Sequence, residues 1–336
     1  MGRGPDGVWS ERWSSPDYEV DEHGRVVGAV NDRTPNNWGR WGDLDELGTV
    51  NFLTPEVIAE AAAAVRAGRA VGCALPLGPG GPVHPLRSGP VHLFSVSGTD
   101  VVAGASFGRW TGAQVTDDYL FLPLQGTTQW DGLAHFGYAD TLYNGFWIGG
   151  VEAYSGARHC AIDRMKSRLV GRGVLLDLPR HLGLDRLLPG HRIIPKALDA
   201  CARAQHVEVR SGDILLIRTG HVPWFYDLED KAEFWRVGAP GLTMATVPWL
   251  HARQCAAVAM DNVAIEVEPF DEPFEHDYPV HGRLIRDLGL TLGELWWLED
   301  LAEACAEEER WEFLVSAPPL NITGAAGSPV NPIAVL

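Results

Sequence analysis

Short apolar runs that alternate with helical segments constrain the fold of this chain more than any other feature. The runs have the length of strands and are flanked by Gly, Pro or Asp, whereas the segments between them place apolar residues at helical spacing. Strands that alternate with helices favour an α/β fold over an all-β sandwich. The strand-like runs are YLFLPL (119–124), GVLLDL (173–178), GDILLIRTG (212–220), CAAVAMDN (255–262) and WEFLVSAP (311–318).

The clearest helix begins in TPEVIAEAAAAVRAGRA, residues 54–70. Thr54 can cap it, Pro55 suits the first turn, and Gly68 is expected to end it. The other helical segments are PKALDACARAQ (195–205), ATVPWLHARQ (245–254), HGRLIRDLG (281–289) and LEDLAEACAEEE (298–309).

The domain organisation follows from composition and from the lengths of the linkers. Residues 1–40 are rich in Gly, Pro, Trp and charge, which predicts an irregular N-terminal arm. The later linkers are too short to mark a boundary, so residues 41–336 are predicted to form a single α/β domain.

Charge and cysteine usage restrict the classes of partner. The formal net charge of -17 disfavours nucleic acid and anionic membrane surfaces as partners. No apolar run reaches the roughly 18 to 20 residues that span a bilayer, and the N-terminus lacks a secretory signal. The five cysteines lie far apart and mostly among apolar residues, which favours reduced thiols and a cytoplasmic protein.

The segment LFLPLQGTTQWDGLAHF (120–136) carries the main candidate site. If it is partly extended, every second side chain faces the same side. A carboxylate and an imidazole directed at one point can bind a divalent cation or transfer a proton. The alternative is a polar strand end whose Asp caps a turn. The candidate residues are Gln125, Thr127, Gln129, Asp131 and, after a short turn, His135.

A second candidate cluster lies in YPVHGRLIRDLGLTLGELWWLED, where His281 can open a helix and Glu294 stands alone among apolar residues. A carboxylate in such surroundings is costly to bury unless it is paired, protonated or bound to a cation. Alternatively, Glu294 starts the next helix, where the helix dipole favours a carboxylate.

Three weaker signals complete the search. Arg218, at the end of an apolar run, is placed to hold an oxyanion or carboxylate, or to pair with a neighbouring carboxylate. Asn262 ends another run, and the acidic loop after it is of a kind that is usually solvated. Ser106 matches a G-x-S-x-G pattern in GASFG, but its flanks lack the strand and helix of a nucleophile elbow.

Taken together, these segments resemble the cyclase family of metal-dependent hydrolases, which includes bacterial kynurenine formamidase and isatin hydrolase. The resemblance implies an α/β fold of the swivelling β/β/α type, with a central β-barrel-like core in a mixed sheet flanked by helices. It also implies assembly as a homodimer or homotetramer. The matching segments run from about Asn37 onward and include RWGDLDELGTVNFLTPE, QGTTQWDGLAH, RGVLLDLPR, GDILLIRTG, AAVAMDN, PVHGRLIRDLG and APPLNITGAAGSPVNPIA.

The family's site pattern is similar to H-x-G-T-H-x-D-x-x-x-H with a downstream His and Glu. Asp131 matches the carboxylate, and His135 matches the last histidine, which the resemblance makes the general acid/base. His281 and Glu294 match the downstream pair.

Gln125 and Gln129 occupy the two positions where the family pattern has its first histidines. A glutamine carbonyl is a neutral and weak ligand compared with imidazole, so we expect weakened metal binding and a shift from zinc towards manganese or magnesium.

Two mechanisms are compatible with these residues. In the first, a divalent metal, manganese or zinc, is held by Asp131, His281 and Glu294, with Gln125 and Gln129 nearby. It lowers the pKa of its water, and His135 transfers a proton while an amide, lactam or lactone opens. In the second, no metal binds tightly, and the acid/base pair is His135 and Glu294. The substrate carbonyl is then held by Gln125, Gln129 and Thr128.

The expected substrate is a small and flat or aromatic metabolite, since Trp130, Phe136 and Trp147 can wall a pocket; ordinary core packing is the alternative for all three. Two other classes stay open. One is a ring-closing or dehydratase-like enzyme, which the same residues can serve, and the other is a catalytically silent binding protein.

Overall fold

Strands and helices alternate through the part of the chain that the structure, a computed structural model, describes: residues 16–104, 113–270 and 279–336. The strands are β1 (Ala70–Gly72), β2 (Val91–Val96), β3 (Asp117–Phe121), β4 (Gln129–Asp131), β5 (Val151–Glu152), β6 (Gly156–Ala157), β7 (Val170–Asp177), β8 (Arg192–Ile193), β9 (Ile214–Arg218), β10 (Gly241–Leu242), β11 (Ala257–Met260), β12 (Thr291–Glu294), β13 (Glu312–Ser316), β14 (Gly327–Pro329) and β15 (Ile333–Val335). The α-helices are α1 (Pro55–Ala63), α2 (Gly98–Val102), α3 (Leu178–Leu182), α4 (Pro195–Ala204), α5 (His221–Asp227), α6 (Ala232–Arg236), α7 (Thr246–Arg253), α8 (Val280–Gly282) and α9 (Glu299–Glu307). A π-helical turn at Arg283–Asp287 continues α8.

A nine-stranded mixed sheet organises these elements, in the order β1-β15-β13-β7-β9-β11-β12-β4-β14. The pairs β7/β9, β9/β11 and β11/β12 are parallel, and the other pairs are antiparallel. The sheet curls into a half-barrel flanked by helices, which confirms the predicted α/β fold. The barrel is open, with β1 and β14 at its two ends.

The central strands are buried because their residues are apolar on both faces. All four residues of β11 and the first four of β9 are buried. They join one large core in which Leu215, Leu216 and Val258 are fully buried. The runs that the sequence identifies as strands at 173–178, 212–220, 255–262 and 311–318 therefore form the sheet's middle.

Helix α1 begins as the sequence predicts and ends earlier. The Thr54 hydroxyl accepts a hydrogen bond from the Val57 N–H at 3.3 Å. The helix stops at Ala63, and Gly68 instead lies in the turn into β1, where its N–H donates to the Leu336 carbonyl at 2.7 Å. Gly68 therefore takes part in the turn after the helix and does not end the helix as predicted.

The run YLFLPL overlaps β3, but that strand does not join the central sheet. Among the described residues it pairs only with β2, in a separate two-stranded hairpin, and all five of its residues are exposed.

The described part of the predicted N-terminal arm, residues 16–40, has no helix and only isolated strand bridges. It is tied to the segment after α8, where the Trp38 indole donates to the Arg286 carbonyl at 2.8 Å. None of the helices in the described ranges combines the length and apolar character needed to cross a bilayer. All five cysteines are buried free thiols, as predicted.

Candidate functional site

Two paired strands place three polar side chains inside the sheet. Gln129 and Asp131 lie at the ends of β4, and Glu294 ends β12, directly opposite Gln129. Glu294 therefore does not start a helix. All three side chains are buried. Gln129 Nε2 donates to Glu294 Oε2 at 3.0 Å and approaches Asp131 Oδ1 at 3.5 Å.

Two histidines approach Asp131 from different elements. His135 follows β4 after a turn closed by its own N–H on the Gly132 carbonyl at 3.0 Å, and His281 lies in α8. His135 Nε2 is 3.8 Å from Asp131 Oδ1, and His281 Nε2 is 3.7 Å from Asp131 Oδ2. The two imidazole rings lie edge to face, with centroids 5.6 Å apart. Asp131 thus lies close to both imidazoles.

Glu266 positions the helix that carries His281. Its buried carboxylate accepts hydrogen bonds from the Val280 N–H at 2.9 Å and the His281 N–H at 3.4 Å, which are free donors at the start of a helix. His281 Nδ1 in turn lies 3.3 Å from the Ala264 carbonyl. Glu266 was not identified from the sequence because it lies in the acidic loop that was expected to be solvated.

The arrangement of donor atoms fits a divalent cation. One ligand atom each from Asp131, His135 and His281 lies within 4.8 Å of the other two. Asp131 Oδ2 and Gln129 Oε1 are buried and have no hydrogen-bond partner among the described residues. Two imidazoles and a carboxylate suit zinc or manganese, and an amide oxygen can add to them. Glu294 Oε1 lies farther back, 3.8 Å from His281 Nδ1.

Burial shifts the protonation equilibria of these groups. It raises the pKa of Asp131 to about 7, and burial together with the Asp131 charge raises the pKa of Glu294 well above its usual value. Burial lowers the pKa of His135 to about 4 and that of His281 to about 3. The imidazoles are therefore neutral, which is the form that binds metals, and a cation would displace the carboxyl proton.

A cleft of about 460 Å³ opens onto this cluster. The side chain of His135 is 24% exposed, whereas that of Asp131 beneath it is fully buried, so the imidazole faces the cleft. Phe136 forms part of the wall, as expected, and packs so closely on Gly282 that a Cβ there would lie 2.7 Å from Phe136 Cε1. The lining residues are His84, Leu86, Arg87, His135, Phe136, Val263, Ala264, Glu266, Glu268, Phe270, Pro279, His281 and Glu294.

Arg87 supplies a positive charge to the cleft, and nothing in the sequence pointed to it beyond a loop rich in Gly and Pro. Its Nη1 donates to the Gln125 carbonyl at 2.6 Å. Its charge contributes to lowering the pKa of both Asp131 and His135. Gln125 itself is half-buried, and its side-chain hydrogen bond also lowers the pKa of Asp131.

Trp130 does not line the cleft; it lies in the core, which is the alternative that the sequence left open. Because side chains alternate along β4, the indole points away from Gln129 and Asp131. It is fully buried, packs edge-on against Trp296 with centroids 4.9 Å apart, and donates from Nε1 to the Ala317 carbonyl at 2.8 Å. Trp147 is also absent from the cleft lining, and its indole donates to the Tyr18 hydroxyl at 3.0 Å.

Three further candidates also lie outside the cleft lining and make internal contacts instead. The Thr128 hydroxyl donates to the Leu295 carbonyl at 2.6 Å, and the Asn262 amide donates to the Pro240 carbonyl at 2.6 Å. Arg218 pairs with two carboxylates, which is the alternative role that the sequence analysis gave for it. Its Nη1 lies 2.8 Å from Asp177 Oδ1, and its Nε lies 2.9 Å from Glu299 Oε1. Ser106 lies outside the described residues.

Comparison with known proteins gives one family match and several solved relatives. The model of the family described as "Putative cyclase" matches residues 48–267. The crystal structure of a novel cyclase is 43% identical, covers 90% of this chain and 99% of its own, and superposes with a TM-score of 0.84. No curated protein matches the chain significantly.

Two isatin hydrolases share the fold at lower identity. One, bound to the product analogue thioisatinate, is 18% identical over 80% of this chain and 92% of its own, with a TM-score of 0.58. The other, isatin hydrolase A from Labrenzia aggregata bound to benzyl benzoate, is 19% identical over 84% of this chain and 98% of its own, with a TM-score of 0.56.

Proposed function

The chain belongs to the cyclase family, and from that premise we propose that it is a metal-dependent hydrolase that opens an amide or ester bond in a small metabolite. The bond is that of a lactam, a lactone or a formamide. The observation that carries the proposal is the buried cluster of Asp131, His135 and His281 at the base of an open cleft. The fold shared with isatin hydrolases supports it.

Asp131 and His281 would hold the cation, with Gln129 and Glu294 beside them, and His135 would stay free to transfer a proton. When bound, the cation supplies Lewis acidity, which makes a water molecule acidic enough to attack a carbonyl near neutral pH. Zinc and manganese both suit this donor set.

Proton transfer and substrate binding are assigned to residues of the protein. His135 is the imidazole that faces the cleft, so we assign to it the transfer of a proton from the attacking water to the leaving nitrogen or oxygen. Asp131 Oδ1, 3.8 Å from His135 Nε2, orients that ring. Arg87 can hold the developing oxyanion, and Phe136 can pack against a flat substrate.

Metal analysis tests the proposal directly. The purified protein is dialysed and then loaded with Mn²⁺ or Zn²⁺. The wild type is expected to retain about one equivalent of metal, and Asp131→Asn is expected to retain little. Glu303→Gln, an exposed change on α9, serves as the matched control. The metal-loaded wild type is then assayed on a panel of lactams, lactones and formamides. Failure of the wild type to take up either ion would overturn the proposal.

A second candidate is a metal-independent ring-closing or dehydrating enzyme. It is favoured by the presence of both His135 and Glu294 in the cleft lining, with Gln129 fixing one carboxylate oxygen. This reaction would continue in the presence of a chelator and would be lost in Glu294→Gln, whereas the hydrolase would lose activity in the chelator.

A further inference from the structure

The helix that carries His281 continues into a π-helical turn, and this turn ends at a fully buried carboxylate, Asp287. Turns of this kind are rare and occur frequently at functional sites. Two guanidinium groups of the same turn pair with the carboxylate. Arg283 Nε lies 2.6 Å from Asp287 Oδ2, and Arg286 Nη1 lies 2.8 Å from Asp287 Oδ1. This pairing offsets the cost of burying the carboxylate and fixes its position within the turn.

Asp287 also contacts the segment that follows His135. The Tyr138 hydroxyl lies 2.6 Å from each oxygen of the Asp287 carboxylate. Beside it, the Arg286 guanidinium donates from Nε and Nη2 to the Thr141 hydroxyl at 3.0 and 2.7 Å, and its Cζ lies 4.1 Å from the centroid of the Tyr138 ring. Two buried side chains therefore join the π-helical turn to that segment.

The N-terminal arm caps the C-terminal end of the same turn. The Asn37 N–H donates to the Asp287 carbonyl at 2.9 Å, and the Asn37 amide donates to the Leu288 carbonyl at 2.9 Å. The Trp38 indole, which donates to the Arg286 carbonyl, also covers the Arg286 guanidinium, with Cζ 4.4 Å from the ring centroid. These carbonyls are of the kind that a helix end leaves without partners inside the helix. The arm thus supplies donors that the helix itself lacks.

The contacts of Asp287 connect the two elements that carry the imidazoles of the candidate site. Tyr138 belongs to the segment that leaves His135, and Asp287 ends the turn that continues the helix of His281. The two imidazole centroids are 5.6 Å apart. Since the histidines lie on different elements, their separation depends on what holds those elements together.

We propose that Asp287 is a positioning residue of the candidate site, which fixes the separation of the His135 and His281 imidazoles through its contact with Tyr138 and is itself held by the N-terminal arm. The inference rests on the proposed function, in which His281 binds the cation and His135 transfers the proton. Groups that act together in this way need a fixed spacing, because a misplacement of about 1 Å can cost roughly a hundredfold in rate.

The first test is the removal of one hydroxyl, Tyr138→Phe, in the full-length protein. The dissociation constant for Zn²⁺, measured by chelator competition, is expected to rise about tenfold, the lower end of the range for groups that orient metal ligands. Tyr18→Phe is the matched control, because the Tyr18 hydroxyl donates to Asp140 Oδ2 at 3.0 Å and so ties the arm to the segment after His135 instead of to the helix of His281. This control should keep the wild-type affinity. Equal affinities in all three proteins would overturn the proposal and leave the proposed function intact.

Proton NMR of the metal-free protein supplies a readout that does not depend on metal binding. The imidazole resonances of His281, assigned with His281→Gln, are expected to shift in Tyr138→Phe and to keep their wild-type positions in Tyr18→Phe. If the wild type takes up no metal, the proposed function fails, and the NMR comparison alone decides the positioning role. Unshifted His281 resonances in Tyr138→Phe would then overturn it.

A second variant, Trp38→Phe, tests the arm and replaces Tyr138→Phe if that protein does not fold. It removes the donor to the Arg286 carbonyl and keeps an aromatic ring beside the guanidinium, so Zn²⁺ affinity should fall and the His281 resonances should shift. Trp249→Phe is its control, because the Trp249 indole also donates to an acceptor at 3.0 Å and lies 3.9 Å from an arginine Cζ, but on α7. Trp38→Phe and Trp249→Phe with the same affinity and the same His281 resonances would overturn the proposal.

Discussion

Gln129 lies directly opposite Glu294 across β4 and β12, and its amide nitrogen donates to Glu294 Oε2 at 3.0 Å while its amide oxygen has no partner among the described residues. A weak, neutral donor thus lies beside the candidate metal site. We expect Gln129→His to tighten Zn²⁺ binding by about tenfold or more, because imidazole is the better zinc ligand. A chelator competition measures the dissociation constant. Gln129→Leu, the control, should bind no more tightly than the wild type, and equal affinity in all three proteins would contradict the prediction.

Glu266 is expected to act on the metal through His281. Glu266→Ala removes the acceptor of the Val280 and His281 N–H groups, so α8 loses its anchor and metal affinity should fall by about 10- to 100-fold. Glu266→Gln keeps one acceptor oxygen and should recover part of the affinity. Glu268→Ala, also in the cleft lining, is the matched control. A loss of affinity in the control equal to that in Glu266→Ala would show a general effect of cleft charge.

Truncation of Trp130 should mainly lower the stability of the protein, whereas truncation of Phe136 should mainly weaken substrate binding. Trp130→Ala empties a fully buried site in the core and should cost about 3 to 5 kcal/mol of unfolding free energy. Phe136→Ala removes a half-buried cleft wall and should weaken substrate binding with a much smaller loss of stability. Urea denaturation and KM values separate the two effects. A Trp130→Phe variant with altered substrate preference and unchanged stability would contradict the assignment of Trp130 to the core.

His221 should make the protein sensitive to acid. Its ring stacks on Phe234 with centroids 4.5 Å apart, and both ring nitrogens lack hydrogen-bond partners among the described residues. Burial lowers the pKa of His221 to about 3, whereas a histidine in the unfolded chain titrates near about 6.5. The unfolded state therefore binds the proton first as the pH falls. Above the pKa of the unfolded state, neutral His221 contributes its full stabilisation. This contribution falls as the pH decreases towards the pKa of His221 in the folded state.

The corresponding measurement is urea denaturation of wild type and His221→Phe at pH 7 and pH 5. Between these values the wild type should lose about 2 kcal/mol more than the variant. His181→Gln, an exposed change, should follow the wild type. Parallel losses in the wild type and in His221→Phe would show that the acid sensitivity arises elsewhere.

The sequence could predict those parts of the fold that depend on local periodicity. The apolar runs that became β7, β9, β11 and β13 and the helix cap at Thr54 are local signals. The isolation of Glu294 among apolar residues was also informative, since a carboxylate there had to be paired or functional.

The contacts that define the site depend on distant parts of the chain, and local pattern does not reveal them. Glu266 and Arg87 lie in loops without periodicity, so only the folded chain shows that one holds α8 and the other enters the cleft. For Trp130 the sequence left both a cleft wall and the core open, because the core partner on the far side of β4, Trp296, lies far along the chain.

The position of β4 in the sheet has a consequence for the synthesis of the protein. β4 holds Asp131 between β12 and β14, which follow it by more than 150 residues of chain. During synthesis, Gln129 and Asp131 are therefore made long before either neighbouring strand. The cluster closes only as a late event, by contacts of high sequence separation, which are the slow ones in folding. A cation that needs both Asp131 and His281 could bind only nascent chains that extend beyond His281.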